Sequence, residues 1–308
     1  MKRFNFVFAV MAATLAIYAT GCSDNVQDGY SDNVSAVECD DAVTRSSYDA
    51  EAQAYAELNE ELMQLSEVYP PEIMARAINL KYFGAAVLAD VIGACIGGGT
   101  MFNIASAVVT SVTCSGLAYR TTKAIDNYPE LRVPTLTTLD PNINILTVLG
   151  QVEYTGYLHN LILSEVVEEL GVNITRLPEE QLKLCVLEKT VRYFSIPAED
   201  RYNFMVDSTL NQTIADVVED FDDVPSNVIL NRVLSVCPNR SNEMGVINTF
   251  CHQYNHYVSQ NTKDSYANDF INVVRNSGVS LNSKNYIIST VSVANQSDKF
   301  WVPVSVND

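Results

Sequence analysis

The sequence contains little positive charge. It has 19 Lys and Arg residues against 37 Asp and Glu residues in 308 positions, so its formal net charge is −18. Nucleic-acid binding requires a basic surface that neutralises phosphates, and the composition therefore excludes nucleic acid as an expected partner. The negative charge also opposes adsorption to an anionic membrane surface. Hydrophobic residues nevertheless make up 47% of the chain, which is typical of a folded domain.

Several motifs of cofactor and catalytic sites are also missing. The glycine triplet at 97–99 is not followed by the GK[ST] sequence of a phosphate-binding loop. The seven cysteines include no CxxC pair, and the chain has no GxSxG or SxxK motif for a serine nucleophile. We therefore expect no cofactor, and an enzyme is the less favoured class of protein.

Residues 1–22 have the pattern of a secretory signal. Lys2 and Arg3 precede an apolar run, and the small residues Ala19, Thr20 and Gly21 stand directly before Cys22. The sequence at 19–22 resembles the lipobox of bacterial lipoproteins, although Ala19 replaces the leucine that is more common there. The alternative is an ordinary signal peptide followed by a chance cysteine.

This resemblance implies that residues 1–21 are a signal peptide and that acyl chains, palmitate among them, are attached to Cys22. It implies a place in the bacterial cell envelope. The acidic stretch after Cys22 resembles the signals that route some lipoproteins to the cell surface, so the outer membrane or cell surface is expected rather than the inner membrane; the alternative is a solvated spacer. Removal of residues 1–21 takes away two basic and no acidic residues, and brings the net charge to −20. Several acyl chains would anchor the protein firmly, since each buried methylene contributes about 0.8 kcal/mol.

The remaining chain divides into four predicted parts. Residues 22–46 are acidic and poor in large apolar groups, which predicts a charged tether. Residues 47–127 contain a helix, expected over 47–67 with Ser47 as its cap, and a hydrophobic hairpin. Residues 128–150 hold three prolines and form a predicted linker, and residues 151–308 form a C-terminal helical domain. The predicted fold class is mainly α, a helical bundle with a small-residue helical hairpin.

The hairpin at 83–119 is the most unusual segment. The 38 residues between Lys81 and Arg120 carry one charge, that of Asp90. Small residues recur every four positions on the first arm and would share one helix face, where another backbone can approach closely; they are Ala85, Ala89, Gly93 and Gly97. The glycines at 97–99 predict the end of this arm, and the second arm follows over 101–119. The pattern resembles the glycine-zipper hairpins of bacterial envelope proteins with membrane-active segments.

Two interpretations of the hairpin stay open. It inserts in a membrane, alone or as an oligomer, in which case Asp90 costs about 3 kcal/mol near the bilayer centre. Alternatively it forms the small-residue core of the helical protein, in which a disulfide between Cys95 and Cys114 could connect the two arms.

Two histidine sites are weak candidates. His252 and His256 lie four residues apart, the spacing of two metal ligands on a helix, but Gln253 replaces the glutamate of an HExxH motif and no third ligand is evident. His159, next to Asn160, is a candidate general acid or base with Glu153 and Glu165 on neighbouring turns. Structural roles for these histidines are the more common case.

The sequence thus predicts a lipid-anchored envelope lipoprotein that acts as a binding module. Its expected partners are the membrane, through the lipid anchor, an envelope or extracellular protein, and a second copy of the chain through 83–119. The alternatives are a membrane-inserting or pore-forming lipoprotein, and a helical hydrolase or metal-binding protein.

Overall fold

A computed structural model describes residues 40–70, 80–101, 103–123, 140, 142–171, 174, 176–206, 212, 233–235 and 237–301. The predicted signal peptide, Cys22 and most of the predicted tether and linker lie outside the described residues. The described residues from 47 onward form one compact unit.

The described residues form helices and no strand, which confirms the prediction of a mainly α-helical bundle. In chain order the α-helices are α1 (Asp40–Val68), α2 (Leu80–Met101), α3 (Ile104–Lys123), α4 (Ile145–Val148), α5 (Thr155–Leu170), α6 (Glu179–Thr190), α7 (Ala198–Val206), α8 (Ser241–Tyr254), α9 (Gln260–Asn276) and α10 (Leu281–Phe300). Short 3₁₀ helices precede α5 (Val152–Tyr154) and α8 (Pro238–Arg240).

The helix α1 begins earlier than predicted. It starts at Asp40 rather than at Ser47, so Ser47 lies inside the helix and does not cap it. The spacing of Tyr55, Leu58, Leu62 and Leu65 in the sequence predicts an apolar seam on this helix. The first three are buried in the core, and Leu65 is partly buried against it. The neighbouring glutamates of this helix face solvent.

The helices α2 and α3 pack closely along their length. A Cβ atom on Gly93 would lie 2.5 Å from Ser111 Cα, and one on Gly97 would lie 2.2 Å from the carbonyl oxygen of Ser106. The Ser106 hydroxyl donates to the Gly97 carbonyl at 2.9 Å. Glycine is therefore required at both positions by the approach of the second arm, which outweighs its poor helix propensity.

The turn of this hairpin differs from the prediction. The helix α2 continues through the glycine triplet to Met101, and α3 begins at Ile104. The glycines at 97–99 do not break the helix because tertiary contacts hold them: Gly97 lies against α3, and Gly98 lies against the ring of Tyr286. Two residues separate the two helices in the sequence.

The helix α10 packs against α2, α5, α8 and α9. Every residue from 286 to 295 is buried, so this stretch has no exposed face. The absence of an exposed face explains why its sequence pattern fits a helix and a strand equally, since amphipathic periodicity requires one polar side. Gly156 on α5 allows the closest approach, because a Cβ there would lie 2.1 Å from the Ser292 carbonyl oxygen.

The described cysteines do not support the predicted bridge across the hairpin. Cys95 and Cys114 are both buried and both carry free thiols. In the described part of the chain, no helix combines the length and the apolar character needed to cross a membrane.

Candidate functional site

The single charged residue of the uncharged segment lies in the middle of the bundle. Asp90 is fully buried, and its two carboxylate oxygens accept three hydrogen bonds. The Ser115 hydroxyl donates to Oδ1, while the Ser297 hydroxyl and the Trp301 indole Nε1, at 3.0 Å, donate to Oδ2. We call these residues, together with His159, the Asp90 cluster. It connects α2, α3, α5 and the C-terminal end of α10.

His159 completes the Asp90 cluster from α5. Its ring is fully buried, and its Nε2 lies 3.7 Å from Asp90 Oδ2. Its Nδ1 lies 2.9 Å from Asn160 Oδ1, and the Asn160 amide nitrogen donates to the Gln296 carbonyl at 2.9 Å. This second bond orients the amide so that Oδ1 is the acceptor, and the Nδ1 of His159 therefore carries a hydrogen. The Nε2 atom, which has no hydrogen-bond partner in the described part of the chain, faces the carboxyl group.

The electrostatics of the pair follow from its burial. Removal from water raises the pKa of Asp90, while the charge of His159 and the three hydrogen bonds act in the opposite direction. The protonated carboxyl group is uncharged, and an uncharged group is the least costly one to bury in a low-dielectric core.

The Asp90 cluster links four helices through buried side chains. All five side chains of the Asp90 cluster are buried, so a substrate has no route to the imidazole while the helices stay packed. Of the two glutamates predicted near His159, Glu153 pairs with Arg275 at 3.4 Å and Glu165 binds Tyr193 and Arg192. The structure thus brings His159 to Asp90 instead.

The two other histidines lie together at the surface. His252 is in the last turn of α8 and His256 in the turn that follows, and both are exposed. Their ring centroids are 4.9 Å apart with an angle of 80° between the planes. Burial and the charge of His252 lower the pKa of His256. Among the described residues, no three His, Cys, Asp or Glu side chains converge as a metal site.

The predicted small-residue face lies partly within the described region. Ala89, Gly93 and Gly97 are buried, and the two glycines lie against α3. Ala85 lies on α2, but its side chain is outside the described ones, as is Cys22.

Sequence reasoning did not find the partners of Asp90. His159 is 69 positions away and Trp301 more than 200, and no local spacing connects them. The only available signals were that Asp90 is the one charge in an apolar segment and that Trp301 is the only tryptophan of the chain.

Comparison with family models, with curated proteins and with solved structures gives no match for this chain.

Proposed function

We propose that this chain is a lipid-anchored protein of the bacterial cell envelope, held by acyl chains on Cys22, whose helical unit binds a protein partner outside the bilayer. The lipobox-like sequence at 19–22 supports the anchor, and the acidic residues that follow it support a tether that keeps the helical unit away from the lipid headgroups.

The Asp90 cluster is the observation that favours a hairpin in the protein core over a hairpin inserted in a membrane. The hairpin's one charged group is bonded to side chains from α3 and α10 and faces the imidazole of α5. Insertion of the hairpin into a bilayer would break the contacts of Asp90 with α10 and α5, and would leave it with one of its three donors, Ser115 on the second arm of the hairpin. This cost supports a hairpin that stays in the core and a membrane attachment through lipid.

The surface offers two features that suit a binding module. On the adjacent helices α6 and α7, Leu184, Tyr202 and Val206 are 48%, 66% and 51% exposed. The outer face of α1 presents exposed acidic side chains; they are Asp49, Glu51, Glu57, Glu60, Glu61 and Glu67. A partner with an apolar contact surface and basic residues would complement both features.

Self-association through the small-residue face is not part of this proposal. Gly93 and Gly97 already lie against α3, at distances that leave no room for another helix. The pore-forming alternative remains an outcome of the experiment below.

Two measurements test the proposal. In a bacterial host, the full chain should incorporate labelled palmitate and sediment with membranes, and the Cys22→Ala variant should lose the label. The fragment 23–308 should remain in the supernatant when it is mixed with liposomes and should release no trapped dye. Dye release by this fragment would contradict the proposal and favour the pore-forming alternative. Palmitate labelling that persists in Cys22→Ala would contradict the assigned anchor.

A further inference from the structure

The end of α8 places two imidazoles side by side at the surface. The helix ends at Tyr254, two residues before His256, yet the chain keeps a helical course through the next turn. Asn255 has φ −68° and ψ −11°, and its N–H donates to the carbonyl oxygens of Cys251 and Gln253. The N–H of His256 also donates to the Gln253 carbonyl, at 2.9 Å. The four-residue spacing of His252 and His256 is therefore maintained on one face.

The surroundings of this pair favour a cation. The C-terminal end of a helix carries a partial negative charge from its aligned peptide dipoles, and α8 ends between the two rings. The whole chain has a formal charge of −18. Both rings are exposed, so an ion can reach them from solvent without any movement of the core.

We propose that His252 and His256 together bind one divalent transition-metal ion, such as Zn²⁺ or Cu²⁺, through one nitrogen of each imidazole, with water in the remaining positions. Neutral imidazole is a common ligand for both ions. The proposal goes beyond the binding role proposed above and does not depend on it.

The number of ligands defines the kind of site. Structural zinc sites have four protein ligands and catalytic sites have three, whereas the described residues supply two here. The site is therefore open and exchangeable, and the fold does not depend on it. The general order of metal affinities gives tighter binding of Cu²⁺ than of Zn²⁺.

Isothermal titration of the purified full-length chain in detergent with ZnCl₂ tests the site, since Zn²⁺ does not oxidise the free thiols. We expect one equivalent to bind, and we expect His252→Gln and His256→Gln each to weaken the affinity at least about tenfold, because each removes the chelate. Asn255→Ala, which changes an exposed polar side chain in the same turn, is the matched control and should leave the affinity unchanged.

Two further results decide the assignment. Zn²⁺ should raise the thermal midpoint of the native chain and of Asn255→Ala, and should leave that of the double variant His252→Gln/His256→Gln unchanged, because a ligand stabilises only the state that binds it. Absence of Zn²⁺ binding, unchanged binding in the double variant, or a loss in only one single variant would overturn the proposal. Both side chains are exposed, so we expect the variants to stay folded, and circular dichroism of each variant checks that point.

Discussion

Asp90 is surrounded by donors that come from distant parts of the chain. Ser115, Ser297 and Trp301 satisfy its oxygens, and His159 offers a partner for its proton. A carboxyl group in this position is costly to bury without such partners, so the cluster and the packing of four helices depend on each other.

The pKa of Asp90 predicts how stability changes with pH. Because burial raises this pKa above that of the unfolded chain, the folded protein keeps the carboxyl proton to a higher pH. The stabilisation by that proton is complete below about pH 3.9, the ordinary pKa of an aspartate in an unfolded chain. It is lost as the pH rises through the pKa of Asp90 in the folded protein. We expect Asp90→Asn to gain stability relative to the native chain as the pH is raised from about 4 to about 8.

Urea unfolding of both proteins across this pH range measures the difference in their free energies of unfolding. The contributions of the surface carboxylates are the same in both proteins and cancel in this difference. A difference that is constant with pH, or that changes in the opposite sense, would contradict the raised pKa.

The donors of the Asp90 cluster give a second prediction at this scale. Ser297→Ala removes a hydrogen bond to a fully buried carboxyl group and should lower the free energy of unfolding by about 1–3 kcal/mol. Ser289→Ala is the matched control on the same helix, because that buried hydroxyl donates only to the Tyr286 carbonyl of its own helix. Chemical denaturation measures both. If both variants lose the same free energy of unfolding, the bond to Asp90 stabilises the protein no more than a bond within one helix.

At the scale of the helices, the pairing of α2 with α3 depends on backbone contact. Gly93 faces Ser111 so closely that any side chain would meet the backbone of α3. Gly156 on α5 allows a similarly close approach to the backbone of α10. Small residues thus determine which helices can approach, whereas the larger apolar residues fill the space around them.

A pair of glycine substitutions tests this account. Gly93→Ala should destabilise the protein by about 1–3 kcal/mol, because its Cβ would lie 2.5 Å from Ser111 Cα and the helices must separate. Gly245→Ala on α8 has nothing within 4 Å of the new Cβ, so it should stabilise by about 0.5–1 kcal/mol through helix propensity. Thermal or urea unfolding compares them. Stabilisation by both substitutions would rule out the close approach of α2 and α3.

The whole unit protects its thiols. Cys95 and Cys114 are completely buried and free, and burial raises the pKa of both. Since the thiolate is the reactive form, we expect alkylation of these two residues to occur only when the unit unfolds. Iodoacetamide labelling followed by peptide mass spectrometry should therefore give rates that rise with urea as global unfolding does. Rapid labelling without denaturant, or a Cys95–Cys114 disulfide in the purified protein, would contradict the arrangement of the core.

The sequence by itself determined the helical class and much of the position of the helices. The apolar seam of Tyr55, Leu58, Leu62 and Leu65 predicted α1, and Gly171, which has φ +51°, ends α5. These features depend on neighbours within one or two turns, and such contacts are visible in local spacing.

Only the tertiary structure decided the end of α2, the helical state of 286–294 and the partner of His159. The glycine triplet stays helical because α3 and Tyr286 pack against it. The buried stretch of α10 has no polar face, so its sequence lacks the amphipathic periodicity that would indicate a helix. The contact of Asp90 with His159 joins residues that only the folded bundle brings together. Local propensity fixes which segments are helical, but burial from all sides and long-range pairing depend on which helices meet.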